Sequence, residues 1–131
     1  MSRLDDYLEL PNISETRKDI KVKVNGKERV YTIKPMTVEQ HKGYQNRCRS
    51  KFKSDGLTFD SSKFYQLIFI NHVVDPDFSN ADFLQKVGFE TATAFINAKI
   101  VPGVITEVAT KICEFSGFSA EIQDDIDEAK N

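Results

Sequence analysis

Residues 63–74, KFYQLIFINHVV, are apolar around most of a helical circumference, and no other stretch constrains the fold as strongly. A helix of this kind has no face to give to water, so the rest of the chain must cover it. A buried strand would also read as a continuous apolar run, but the length and the capping residues Asp60 and Ser61 favour a helix. The helix must stop before Pro76, because proline disfavours helical geometry in the residue ahead of it.

Cover is available on both sides. Upstream, IKVKVNGKERVYTI predicts a β-hairpin over 20–33: Ile20, Val22 and Val24 alternate with lysines, and Asn25-Gly26 tolerates positive φ. A two-residue loop would pair Ile20 with Tyr31 and Val22 with Arg29. A four-residue loop at 25–28 would instead pair Val22 with Tyr31 and Ile20 with Ile33, and this register is preferred as placing the apolar residues on one face. Thr37 and Gln40 then form a capping box, opening a helix whose apolar stripe is Val38, His41, Tyr44, Cys48 and Phe52. His41 on that stripe is expected to be a packed or hydrogen-bonded residue rather than a ligand or base. KSDGLTFDSS reads as a turn around Gly56.

Downstream, DPDFSN makes a turn, and Ser79 or Asn80 caps a short helix that runs through Val87 to Gly88. Another helical run covers 90–100, with Ala92, Phe95, Ile96 and Ile100 together. In VPGVITEVATKICEFSGF, Pro102 suits the first turn of a helix, and Val104, Ile105, Val108, Ile112 and Phe115 form its buried stripe. Gly117 stands where a left-handed residue ends a helix, with Phe118 able to pack back on Ile112 or Cys113. The expected architecture is mainly α: a compact helical domain of about five to six helices with one N-terminal β-hairpin. Residues 1–19 would be a strap docking Leu4, Leu8 and Leu10, residues 20–118 one globular domain with helices within 37–117, and residues 119–131 an acidic C-terminal helix or tail.

The chain of 131 residues is 40% hydrophobic and 29% charged with a net charge of −2, ordinary for a globular protein. No apolar run is long enough to span a bilayer, and MSRLDDYLEL lacks a signal peptide's basic start, so a cytoplasmic location is expected. Cys48 and Cys113 are read as buried thiols, and with His41 and His72 they make no metal-ligand pattern; neither metal nor cofactor is expected. Phosphate-binding glycine loops, GxSxG and HExxH are absent. The adjacent Asp124 and Asp125 would diverge by about 100° on a helix, unlike a catalytic carboxylate pair. Enzymatic function is not expected.

Charge is uneven along the chain. Residues 34–53 hold six cations, among them Lys42, Arg47, Arg49, Lys51 and Lys53, against Glu39 alone, and residues 114–131 are acidic by a similar margin. A basic helix over 42–53 could contact phosphates, with Phe52 or Tyr44 stacking on bases. The overall negative charge and the lack of a base-reading motif disfavour nucleic acid. Phe52, Phe59, Phe78 and Phe83 lie on or beside loops rather than on the clearest core stripes, and are the candidate partner-binding residues. Val104 and Val108 mark the alternative surface.

The order of three motifs resembles the phage XkdN-like tail assembly chaperones. YTIKPMT matches the end of that family's two-stranded segment, FYQLIFINHVVDPDF its apolar middle helix, and IVPGVITEVATKICEFSGF its last helix. Val104 departs from the family pattern, which has an acidic residue there. The resemblance implies a non-enzymatic protein of the bacterial host's cytoplasm. It would bind the tape measure protein of the same tail gene cluster while the tube forms, and be absent from the mature particle. It leaves room for self-association. A structural tail or head–tail joining subunit, or a small nucleic-acid-binding regulator, are the competing functions.

Overall fold

Among the described residues, five α-helices and two small antiparallel sheets are built around the apolar segment. The computed structural model describes residues 3–52 and 56–118, with backbone alone for 50–52 and 56–58. After short 3-10 turns at Arg3–Tyr7 and Ile13–Glu15, strands β1 (Lys18–Val24) and β2 (Lys27–Ile33) form a hairpin. Helix α1 (Val38–Cys48) leads into a second hairpin, β3 (Arg49–Phe52) and β4 (Gly56–Phe59). Then come α2 (Ser61–His72), β5 (Val73–Asp75), α3 (Ala81–Val87), α4 (Ala92–Lys99) and α5 (Pro102–Phe115).

Strand β5 changes the fold class. It pairs antiparallel with β2 through Ile33–Val73 and Thr32–Asp75, giving a three-stranded sheet in the order β1-β2-β5. The expected mainly α domain with a lone hairpin is therefore corrected to an α+β fold. The cause is local and tertiary at once. Val73 and Val74 are β-branched, Asp75 precedes a proline and is pushed toward extended backbone, and β2 offers an unpaired edge. The Lys34 amide also donates to the His72 carbonyl at 3.0 Å, closing the end of α2 against the sheet.

The hairpin forms with the other register. Ile20 faces Tyr31 and Val22 faces Arg29 across a two-residue loop, with Asn25 at φ 52° and Gly26 at φ 92°. The two registers differ by two residues, and a shift of two keeps every side chain on its face, so the apolar pattern cannot distinguish them. Turn chemistry decides: positive φ at both central residues is the type I′ turn that matches strand twist. The Asn25 side chain adds a second function. Its Nδ2 donates to the Lys99 carbonyl at 2.6 Å, and its Oδ1 accepts from the Val101 amide at 3.1 Å, tying the hairpin tip to the α4–α5 junction.

Helix α1 opens with the expected capping box: the Gln40 amide donates to Thr37 Oγ1 at 3.1 Å, and the Thr37 amide to Gln40 Oε1 at 2.9 Å. It ends at Cys48, however, and the continuous basic helix to 53 does not exist. Arg49 pairs with Phe59 and Ser50 with Thr58 in a ladder, so KSDGLTFDSS is part strand rather than simply a turn. The Asp60 amide takes up the Cys48 carbonyl at 2.8 Å, which satisfies a helix-end acceptor that a longer helix would have bonded internally.

The core is the buried face of the sheet laid over α2 and α5. Ile20, Val22, Tyr31 and Ile33 meet Phe64, Ile68 and Phe69 of α2 and Val104, Val108 and Ile112 of α5. Each fully buried aliphatic side chain contributes about 1.5–3 kcal/mol. Helix α5 stops as expected. Gly117 is left-handed at φ 86°, the Phe118 amide reaches the Cys113 carbonyl at 2.7 Å, and the Gly117 amide reaches Glu114 at 3.0 Å. The Phe118 ring stacks on buried His41 at 4.3 Å, which fixes His41 as the packed residue its stripe position suggested. No atom crowds a Cβ at 117, so Gly117→Ala carries only the backbone penalty, and an equilibrium urea melt is expected to show a loss of about 1 kcal/mol.

Both thiols are buried, and burial raises Cys48 and pushes Cys113 up to about 12, so neither is nucleophilic near neutrality. The N-terminal segment does not dock as expected: Leu8 and Leu10 are 79% and 63% exposed, and Leu4 is exposed as well. Asp5, Asp6 and Glu9 alternate with these leucines, and a turn over 12–17 separates them from β1. The acidic C-terminal helix or tail expected over 119–131 lies outside the described residues.

A candidate phenylalanine-lined groove

The turn after β5 sends Phe78 back toward the sheet, where it lies edge-on to Tyr31 at 5.9 Å and stacks on Phe69 at 5.4 Å. Helix α3, capped by Asn80 through the Phe83 amide at 2.9 Å, presents Phe83 on the same side. Helix α4 supplies Phe95, which stacks on Phe78 at 5.9 Å and meets Phe83 edge-on at 5.0 Å. Phe78, Phe83 and Phe95 stay half-buried, while Tyr31 beneath them is buried.

These rings line an open groove of about 360 Å³ between the hairpin tip and α3–α4. Val24, Ile100 and Pro76 complete its apolar lining, and Arg29 and Lys99 stand in it as cations. A second recess of about 250 Å³ shares Pro76, Phe78 and Phe83 and is bordered by Asp75 and Asp77. The rings of Phe78 and Phe83 thus separate a basic side from an acidic side. Burial raises the Tyr31 hydroxyl pKa, opposed by the charge of Arg29, so the floor stays neutral at physiological pH. Stacked apolar rings with charges only at the margin suit the apolar face of an amphipathic helix. They offer no nucleophile and no acid–base pair.

Two of the four candidate phenylalanines, Phe78 and Phe83, are brought together here. Phe59 is elsewhere, half-buried against Phe64 at 5.3 Å, and the Phe52 side chain lies outside the described residues. Val104 and Val108 are core residues, 6% and 0% exposed, and present no surface. The basic residues divide between elements. Lys42 and Arg47 are exposed on α1 and Arg49 on β3, whereas the Lys51 side chain and Lys53 are not described. Tyr31, Phe95, Arg29 and Lys99 also line the groove, and no local sequence signal places them there. A hairpin position and a helical stripe identify Tyr31 and Phe95 as packed residues, but nothing local shows that they face each other.

Among the described residues, no helix is long and apolar enough to cross a membrane, and no cluster of side chains could hold a metal ion. The family model for the phage XkdN-like tail assembly chaperone protein matches residues 5–130. No curated protein matches the sequence. Among solved structures, the crystal structure of the protein YqbN is similar, with a TM-score of 0.56 and 16% identity over 90% of this chain and 98% of that one. At that identity the likeness is one of fold.

Proposed function

Because the chain belongs to the phage XkdN-like tail assembly chaperone family, we propose that it shields the tape measure protein of its own tail gene cluster during tail assembly. The groove at Phe78 and Phe83 is the holding surface. It takes the apolar face of a client helix and performs no chemistry on it. The protein acts in the host cytoplasm and leaves before the particle is complete. The observation that carries this reading is an open groove of about 360 Å³ lined by Tyr31, Phe78, Phe83 and Phe95. A long amphipathic client exposes such faces until the tube encloses it, and aromatic anchors in a pocket supply most of the binding energy in contacts of this type.

Phe83→Ser is the test. Phe83 is half-buried and touches Phe95 alone among the ring contacts, so its loss leaves the floor of Tyr31 and Phe69 in place. Co-expressed with the tape measure protein, the wild type is expected to keep it soluble and to co-elute. Phe83→Ser is expected to weaken that binding by about 2 kcal/mol, roughly thirtyfold, with a nearly unchanged circular dichroism melt. A folded Phe83→Ser variant that rescues fully would displace the groove, and a wild type that never co-elutes would end the client reading. Mass spectrometry of purified particles separates a chaperone, which is missing, from a structural subunit, which is present.

A further inference from the structure

Among the described residues nine large apolar side chains are exposed, and five of them, Leu4, Tyr7, Leu8, Leu10 and Ile13, fall between residues 4 and 13. The other four, Val30, Val38, Val87 and Val101, are scattered singly, which is ordinary for any protein surface. The clustered five are not. Leu4, Tyr7 and Leu8 have the spacing of one helical face, and the residues between and after them are Asp5, Asp6 and Glu9. The segment is thus a short amphipathic element with an acidic polar side. The groove has the opposite character: aromatic rings with Arg29 and Lys99 among its lining residues, and no carboxylate there. Neither cation makes an ion pair among the described residues.

We propose that the N-terminal segment of one chain docks in the basic side of the phenylalanine groove of a second copy, and that two chains exchange segments reciprocally. A second copy is the occupant because the segment, held by the turn that follows it, is exposed and contributes no residue to the lining of its own groove. Residues 12–17 are folded into a turn by the Glu15 amide on the Asn12 carbonyl at 2.9 Å, Thr16 Oγ1 on the same carbonyl at 3.2 Å, and the Arg17 guanidinium on the Ser14 carbonyl at 2.6 Å. That turn feeds the start of β1 at Lys18, whereas the hairpin-tip end of the groove, at Val24 and Asn25, lies about 20 Å away at the strand rise. Entering its own groove would require the segment to leave the exposed position it holds here. Leu8 and its neighbours supply the anchors, and Asp5, Asp6 and Glu9 meet Arg29 and Lys99. The exchange uses the groove assigned above to the client, so a client helix and the exchanged segment exclude one another. The exchange itself does not depend on what the client is.

Sedimentation equilibrium on the purified full chain, with no tape measure protein present, tests this separately from the rescue assay. The wild type is expected to dimerise, more weakly as salt rises. Leu8→Ser/Leu10→Ser and Phe83→Ser are each expected to weaken the dimer at least about tenfold. Mixing the two variants restores one intact segment and one intact groove, so a heterodimer should form where each variant alone is monomeric. Lys99→Glu, an exposed position, guards against misfolding of the groove variant and should weaken the dimer as well. A wild type that is monomeric at every concentration, or a dimer indifferent to the Leu8→Ser/Leu10→Ser change, would overturn the proposal. So would variants that fail to complement on mixing.

Discussion

Phe69→Ala is expected to destabilise the fold by about 4 kcal/mol, the usual range for removing a fully buried ring. Phe69 has no exposed surface and stands where α2 meets both the sheet and the groove, edge-on to Tyr31 at 6.0 Å and stacked on Phe78 at 5.4 Å. Removing it leaves a void under both rings, and the rigid neighbours cannot close on it, because Tyr31 is held in a strand and Phe78 in a turn. The loss should appear as a lower urea midpoint with little change in the denaturant slope. The groove should suffer with it, since its floor rests on this ring, so tape measure rescue should fall together with stability. A cost below about 1 kcal/mol would mean that the core re-forms without Phe69, and that the groove is not supported from beneath as described.

Acid should weaken the fold through His72 by about 3 kcal/mol, with the loss falling between pH 6.5 and 4. His72 is fully buried at the end of α2, with its Nε2 2.8 Å from the Tyr44 hydroxyl. Burial, and after it the charge of Lys34, lowers its pKa from 6.5 to about 4. Between those values the unfolded chain holds the proton and the folded chain does not, so falling pH favours unfolding. Above pH 6.5 both states are neutral and the contribution is fully present; below 4 both are charged and it has been lost. Urea midpoints measured across this range should therefore decline for the wild type. The decline should be shallower in His72→Gln, which has no proton to take up, and equal declines in both proteins would remove His72 from the account.

Turns and helix ends were legible because each is settled by a few neighbouring residues. Asn25-Gly26, the Thr37–Gln40 capping box, the Asp60 and Asn80 caps and the Gly117 stop are all present as their chemistry requires. The buried stripe of α5 follows in the same way from its 3.6-residue period, and of the five residues read onto it only Phe115 is left half-buried. Where the reading failed, a distant segment held the answer. The hairpin register is the exception: two registers satisfy the apolar pattern equally, and the local turn chemistry of Asn25-Gly26 decided between them. The end of α1 at Cys48 depends on a ladder with residues 56–59, and the end of α2 on the edge that β2 offers to Val73.

The groove shows the same division. A local pattern marked Phe78 and Phe83 as rings without a place on a core stripe. It took tertiary structure to set Tyr31 from a strand beneath them and Phe95 from a helix beside them, and to raise Arg29 and Lys99 at the margin. Local sequence decides which backbone conformations are cheap and which faces must leave water, because those energies involve residues within about four positions of one another. Which apolar residues close into core and which remain as a groove depends on how separate elements fill space together, and that was decided only when the chain had folded.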